Sequence, residues 1–432
     1  MSGSRLIDDL QARGLVAQMS GDDELASHLR EQRVVYCGFD PTADSLHIGS
    51  LVPLLALRRF QKAGHRPIAL VGGATGLIGD PSFKAQERKL NTGDVVGEWV
   101  GKLKAQVSRF VDLEGDNGGI VVNNLDWMDS FSMLDFLRDV GKHFSVNAMI
   151  QKESVKQRLE REGAGISFTE FAYALLQSYD FAELNRRYGC TLQLGGSDQW
   201  GNITGGIDLT RRLNRQQVYG MTFPLVTKDD GTKFGKTESG TIWLDPGKTS
   251  PYAFYQFWMQ TADADVYRFL RYFTFLPVSE IAAVERADAE RQGRPEAQGL
   301  LAREVTRLVH GEAGLAAAER ITEALFTGGA ERLSREDFEQ IKLDGLPCSL
   351  LDPSSLDGVP LTTLLSQAGL ARAAREVKDA LGRRAVQING RAVGTEENMA
   401  TASLFTPSAA RYGRFFLVRM GKKKYHLFEL AG

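Results

Sequence analysis

YCGFDPTADSLHIGS, residues 36–50, joins two kinds of pattern. The run Arg33-Val-Val-Tyr-Cys that leads into it is short and apolar and predicts a buried strand. Gly38 breaks that run, and Asp40-Pro41 ends it. Beyond His47 and Gly49 the apolar stretch from Leu51 to Phe60 predicts a helix. Pro53 bounds its start, because proline lacks an N–H and clashes with the preceding turn anywhere but in a first turn. The helix therefore begins near Gly49 or Ser50. Its unbonded N–H groups and the positive end of its dipole then face the C-terminal edge of the sheet, which is a site for phosphate. Gly49 lets a nucleotide approach the backbone, and His47 offers an N–H to a phosphate oxygen. A capped helix with a surface histidine accounts for the same residues, so this stretch alone leaves both readings open.

Working outward, Pro67-Ile-Ala-Leu-Val-Gly72 is a second apolar strand candidate. Strand, helix and strand in that order argue a βαβ unit in a parallel sheet. Further strands are expected at 119–123 and 191–194, with helices in the intervals. From Thr249 to about Thr327 the chain reads helical. Pro347, Pro353, Gly358 and Pro360 mark a linker. From Leu361 the chain begins helical and turns to short strands near 385–393 and 415–428. There is no internal repeat and no low-complexity tract.

The 432 residues leave room for about two to four domains. A hydrophobic content of 43% and a charged content of 25% are ordinary for a soluble globular protein. The net charge of -2 predicts no strong general pull towards nucleic acid or membrane. The polar N-terminus does not read as a signal peptide, and no apolar stretch is long enough to span a membrane. Cys37, Cys190 and Cys348 lie far apart with no CxxC, which fits a reduced cytosolic setting and not a structural zinc site. The mean charge hides an asymmetry. Residues 371–432 hold twelve Lys or Arg and five Asp or Glu, a net +7, which leaves -9 on the remainder. A basic tail on an acidic body marks a nucleic-acid-binding module, although a solvated basic face has the same composition.

Two more stretches bear on chemistry. GTKFGKTESG, residues 231–240, is one residue short of a Walker phosphate loop, and a strand pattern rather than a helix follows it. It reads as a glycine-flanked, mobile loop that presents Lys233 and Lys236 and could close on a polyphosphate. Further back, Ser167-x-x-Glu170 is a capping box that starts a helix at Ser167. Tyr173, Gln177 and Asp180 then fall at i, i+4 and i+7 on one face of a largely buried helix. A buried polar stripe must be satisfied, by core partners or by a ligand.

His47-Ile-Gly49-Ser50 resembles the HIGH motif of class I aminoacyl-tRNA synthetases, and Lys233-Phe-Gly-Lys236-Thr237 resembles their KMSKS motif. Over essentially the whole chain the sequence is similar to the bacterial tyrosyl-tRNA synthetases. The stretches that carry the similarity are 36–42, 72–81 (Gly-Gly-Ala-Thr-Gly-Leu-Ile-Gly-Asp-Pro), 140–147, 168–173 and 195–202 (Gly-Gly-Ser-Asp-Gln-Trp-Gly-Asn). Each is weak alone, and together in order they are specific. Ser50 replaces the second histidine of HIGH, so the imidazole contact to ATP gives way to a hydroxyl that makes one weaker hydrogen bond.

The resemblance implies an α/β fold: a Rossmann-like parallel-sheet catalytic domain, a helical domain and a small α+β S4-like RNA-binding domain. The corresponding ranges are 1–230 for the catalytic domain, 231–248 for the KMSKS-like loop, 249–330 for the helical anticodon-side domain, 331–360 for a linker and 361–432 for the S4-like domain. It implies that Tyr36 and Asp180 bind the phenol of L-tyrosine. Tyr173, Gln177 and Asp80 hold its ammonium, and Gln199 its carboxylate. Thr42 and His47 contact the terminal phosphate of ATP, and Lys84, Arg88, Lys233 and Lys236 gather round the pyrophosphate. Cys37, Gly38, Asp40, Gly49, Ser50 and Gly196 lie along the nucleotide, and Asp198 binds the ribose. Arg372, Arg375, Lys378, Arg383 and Arg384 meet the phosphates of tRNA(Tyr). Magnesium is expected with ATP, with no dedicated protein cage, and the family works as a cytoplasmic homodimer.

Three rivals fit less well. A nicotinamide dehydrogenase needs G-x-G-x-x-G after the first strand, and the strand at 33–38 is not followed by it. In a tryptophan-specific relative the Tyr36 and Asp180 pair would be out of place. A non-enzymatic RNA-binding relative would erode the ATP site, yet His47, Lys233 and Lys236 are present.

Overall fold

The computed structural model of the protein describes residues 3–82, 91–152, 155–156, 159, 166–229, 234–237, 240–293 and 295–431. Strands β1 (Gln18–Met19), β2 (Val34–Phe39), β3 (Arg66–Val71), β4 (Ile120–Asn123), β5 (Cys190–Gly196) and β6 (Tyr219–Phe223) form one sheet in the order β1-β6-β5-β2-β3-β4. Neighbours are parallel except β1, which runs antiparallel to β6. Val35, Tyr36, Cys37, Ile68, Ala69 and Leu70 are all buried, as expected of central parallel strands covered on both faces. The chain passes from β2 to β3 and β4 on one side and later adds β5 and β6 on the other. The sheet order therefore reverses between β2 and β5, and the cleft beyond their C-terminal ends is where such sheets bind ligands.

The corner after β2 folds as its residues dictate. A single turn of 3-10 helix, Ile48–Ser50, leads into the helix Leu51–Lys62, with Pro53 in its first turn. A short hairpin of β7 (Lys236–Thr237) and β8 (Gly240–Thr241) follows much later in the chain. The helix Phe168–Tyr188 opens on Ser167, whose hydroxyl accepts from the Glu170 N–H, and closes on Gly189 in the left-handed conformation.

The chain divides into two units: 1–244 with 262–297, and 245–261 with 298–432. The expected helical domain 249–330 is thus split. The helix Asp263–Phe273 belongs to the first unit, and two buried guanidinium groups show why. Arg59 donates to the carbonyls of Tyr272 and Thr274, and Arg13 donates to that of Leu276. Carbonyls at a helix C-terminus lack partners within the helix, and a buried guanidinium has donors to spend on them. The Phe275 ring lies 4.7 Å under the Arg59 guanidinium.

In the second unit, β9 (Cys348–Leu351), β10 (Val386–Ile388), β11 (Arg391–Val393), β12 (Phe415–Met420) and β13 (Lys424–Leu430) make a sheet in the order β11-β10-β12-β13-β9. The stretch 331–360, read as a linker, is therefore corrected. Its β9 pairs in parallel with β13 from Cys348↔Leu427 to Leu351↔Leu430. Leu351 and Leu356 join Phe405, Phe416, Val418 and Phe428 in one apolar core. The prolines and glycines that suggested a linker bound short elements, and two of the leucines between them, Leu351 and Leu356, are packed while Leu350 is exposed.

Candidate active site

Two cavities open beyond the C-terminal ends of β2 and β5. The inner one, about 180 Å³, is lined by Tyr36, Cys37, Gly38, Asp40, Asp80, Tyr173, Gln177, Asp180, Gly196 and Gln199, with Thr75 and Gln193. The outer one, about 270 Å³, is lined by Gly38, Asp40, Thr42, His47, Gly49, Ser50, Gly196 and Asp198. Gly38, Asp40, Pro53 and Gly196 belong to both. The sequence-predicted site residues are thus brought together in two adjoining groups. Lys84, Arg88 and Lys233 lie outside the described residues, and Lys236 is described only as the first residue of β7.

The helix Phe168–Tyr188 supplies three of the inner side chains. Asp180 is buried and accepts from Asn124 Nδ2 at 3.0 Å and Trp127 Nε1 at 2.8 Å. Burial pushes its carboxyl up to about 7, against these two donors, and Asp40 and Glu183 add to the rise. The Tyr36 hydroxyl is buried and finds no partner among the described residues. Burial holds its phenol well above the usual range, and Asp180 adds to the effect. The Tyr173 hydroxyl donates to Asp40 Oδ2 at 2.7 Å. Gln177 Oε1 accepts from Asn202 Nδ2 at 3.1 Å, and Gln199 Nε2 donates to Asp80 Oδ2 at 2.7 Å. Burial pushes the Cys37 thiol up to about 12, so it is no nucleophile.

A relay that the sequence reading missed joins the two ends of the inner cavity. The Thr75 hydroxyl donates to Asp40 Oδ1 at 2.6 Å and accepts from Asn124 Nδ2 at 3.0 Å, and the same amide nitrogen donates to Asp180. Asn124 Oδ1 is held in turn by the Ala74 N–H at 2.7 Å. Gly72 makes room for this arrangement, since a Cβ there would lie 2.0 Å from Asp40 Oδ1. One signal was available: an apolar strand ending in Asn123-Asn124 puts amides at the ligand-binding edge of a parallel sheet.

In the outer cavity, His47 Nδ1 accepts the Gly49 N–H at 3.0 Å. In the neutral ring the proton then sits on Nε2, which makes that nitrogen the donor. Among the described residues no group of three or more His, Cys, Asp or Glu side chains could hold a metal ion. In the second unit Arg372, Arg375, Lys378, Arg383 and Arg384 are exposed. Arg384 pairs with Glu396 at 2.5 Å. Lys422, Lys423 and Lys424, which the sequence reading passed over, line one groove with Arg383, Glu376 and Asp379.

The family of tRNA synthetases class I (W and Y) matches residues 29–327, and the tyrosine–tRNA ligase SYY-like C-terminal domain matches residues 337–428. The chain is 64% identical over 427 residues to a tyrosine–tRNA ligase of Aliivibrio fischeri (strain MJ11), 98% of either chain. It is 58% identical over 430 residues to that of Chromobacterium violaceum, covering 99% of this chain and 100% of the relative. A solved structure of a C-terminally truncated Aspergillus nidulans mitochondrial tyrosyl-tRNA synthetase is 30% identical with a TM-score of 0.67, covering 74% of this chain and 94% of that one.

Proposed function

The chain belongs to the class I tRNA synthetases for tryptophan and tyrosine, and from that membership we propose that it is a tyrosine–tRNA ligase. It activates L-tyrosine with ATP to tyrosyl-adenylate and pyrophosphate, then transfers the tyrosine to the 3′ end of tRNA(Tyr). The observation that carries the choice of amino acid is one cavity lined by both the Asp180 carboxyl and a Tyr36 hydroxyl that has no partner among the described residues. A phenol accepts from the first and donates to the second. An indole offers a donor but no acceptor, and phenylalanine offers neither, so each would leave buried polar groups unmet.

The tyrosine carboxylate meets the α-phosphate beside Gly38, Asp40, Pro53 and Gly196, a reading supported by their lining both cavities. Asp80, Gln177 and Tyr173 take the ammonium, and Gln199, whose amide also donates to Asp80, takes the carboxylate. Thr42 and the Nε2 proton of His47 hold the phosphates, with the N-terminus of the helix Leu51–Lys62 behind them. Asp198 takes the ribose. Attack of the carboxylate on the α-phosphate expels pyrophosphate, and the site's work is in-line positioning and cationic stabilisation of charge on the leaving phosphates. Lys84, Arg88, Lys233 and Lys236 supply those cations. Magnesium enters as the companion of ATP, held by its phosphates.

The exposed cations of the second unit suit an S4-like grip on tRNA phosphates. Met133, Leu134, Leu137, Val146 and Phe168 are large apolar side chains left exposed, which supports a homodimer that covers them. Cys37, Cys190 and Cys348 are free thiols, and among the described residues no helix is long and apolar enough to cross a membrane; a cytoplasmic setting fits both. Pyrophosphate exchange with each of the twenty amino acids tests the reading. Exchange that depends on tyrosine supports it, and exchange driven by another amino acid, or by none, overturns it.

A further inference from the structure

The helix Asp263–Phe273 presents Asp265, Phe269 and Phe273 at i, i+4 and i+8, on one face, with Arg268 beside them. Every one of them touches the segment that leads into the β7–β8 hairpin. Asp265 accepts the Asp229 N–H at 3.1 Å, and Arg268, itself paired with Asp265, donates to the Thr227 carbonyl at 2.8 Å. Further along, the Phe234 ring stacks on Phe273, with centroids 5.3 Å and planes 14° apart, and meets Phe269 edge-on at 5.0 Å. Phe269 and Phe273 are themselves buried.

The next residue turns the chain onto the HIGH-like stretch. Gly235 has φ 80, and a Cβ on it would lie 2.3 Å from the Ile48 side chain. The Ile242 N–H donates to the Gly235 carbonyl at 3.1 Å, the Ile48 N–H to the Ile242 carbonyl at 2.9 Å, and His47 forms a β-bridge with Trp243. Lys236 follows Gly235 directly, so its backbone position is fixed relative to His47 through two residues. The helix Asp263–Phe273 is tied at its own C-terminal end to Arg59, which lies on the helix that starts at this stretch.

We infer that Phe234 is a positioning residue for adenylate formation: its ring, held by Phe269 and Phe273, fixes Gly235 against Ile48 and thereby sets the place from which Lys236 reaches the leaving pyrophosphate. Phe234 touches no substrate and acts through Lys236. The inference rests on the ligase reading for its chemistry but not for its geometry. Loss of the ring frees the Gly235–Thr237 backbone, and the cation's stabilisation of the transition state weakens while tyrosine binding, in a separate part of the site, stays.

Two measurements on the full-length protein test this with Phe234→Ala, and with Phe234→Met as the variant that refills the space with a flexible apolar side chain. Single-turnover tyrosyl-adenylate formation at saturating ATP should fall about tenfold or more in Phe234→Ala and recover to within about threefold of wild type in Phe234→Met. The tyrosine dissociation constant should stay within about twofold throughout. Hydrogen exchange at the Ile242 amide, which reports the bond to Gly235 without any substrate, should quicken in Phe234→Ala. Unchanged exchange, an unchanged rate, or a parallel loss of tyrosine affinity overturns the inference. A wild-type protein that forms no adenylate with tyrosine overturns the ligase reading instead, and the exchange measurement still decides the anchoring.

Discussion

Asp180 accepts two hydrogen bonds and is still held near neutrality by burial, with its carboxyl at about 7. A tyrosine phenol that donates to it favours the carboxylate. Binding should therefore release a proton near pH 7, and tyrosine affinity should fall as pH drops below about 7. Calorimetry in two buffers of different ionisation enthalpy checks this, and a binding heat that ignores the buffer would count against the contact. The same shift has a sign for stability. The folded carboxyl is raised above its unfolded value, so its favourable contribution is complete below the ordinary aspartate range and is lost as pH rises through about 7. Asp180→Asn should accordingly remove this pH dependence from the melting temperature of the ligand-free protein and, with one acceptor left for two buried donors, abolish measurable tyrosine binding. Tyr36→Phe removes a hydroxyl with no partner among the described residues. It should leave folding unharmed, weaken tyrosine by about 0.5–1.5 kcal/mol and narrow the margin over phenylalanine in exchange assays. Lys236→Ala should slow adenylate formation far more than it weakens tyrosine, because a cation on the leaving group acts in the transition state; pre-steady-state kinetics separates the two. At this scale the sequence was legible where helical spacing or resemblance marked a residue, as with Tyr173, Gln177 and Asp180. Thr75 left no local pattern, and Asn124 left only its place at the end of an apolar run, because their roles exist only after β3 and β4 lie side by side.

Elements were legible where one signal dominated. The capping residue Ser167 marked the start of the helix that carries Tyr173, Gln177 and Asp180, and the structure begins the helix there; its end at the left-handed Gly189 was not read from the sequence. Ser167→Ala should cost about 1 kcal/mol of stability, read from denaturant unfolding, by orphaning the Glu170 N–H. Strands β2 to β5 were visible as apolar runs because both faces of a central parallel sheet are covered. β9 was not. Its four residues, Cys348–Leu351, sit between prolines, and turn residues outweigh so short an apolar pattern. The helix Asp263–Phe273 was read as helical, but its allegiance to the first unit depends on Arg13 and Arg59, far away in sequence.

For the molecule as a whole, the packing around β9 changes what a shortened chain will do. A chain ending at Gly358 keeps every described residue of the two cavities and should still form tyrosyl-adenylate. It loses β10 to β13, and with them the partners of Leu325, Leu333, Phe338 and Ile341, which pack on Phe415, Leu417 and Leu427. The shortened protein should therefore bind a hydrophobic dye and aggregate on warming, and charging of tRNA should fail because the cations of 371–432 are gone. Normal charging by that chain would remove the tail from the RNA-binding surface. In the full-length protein tRNA affinity should fall steeply with added salt as phosphate contacts release counterions, a slope measured by titration at several ionic strengths. The β9–β13 pairing also has a consequence in time. On the ribosome β9 emerges roughly 70 residues before the strand it pairs with, and at about 5–20 residues per second its edge and the leucines beside it wait several seconds for cover. A translational pause between Leu351 and Lys424 lengthens that wait without altering one atom of the finished protein. Codon choice over this interval should then decide how much of the nascent chain is captured by chaperones and how much is lost to aggregates.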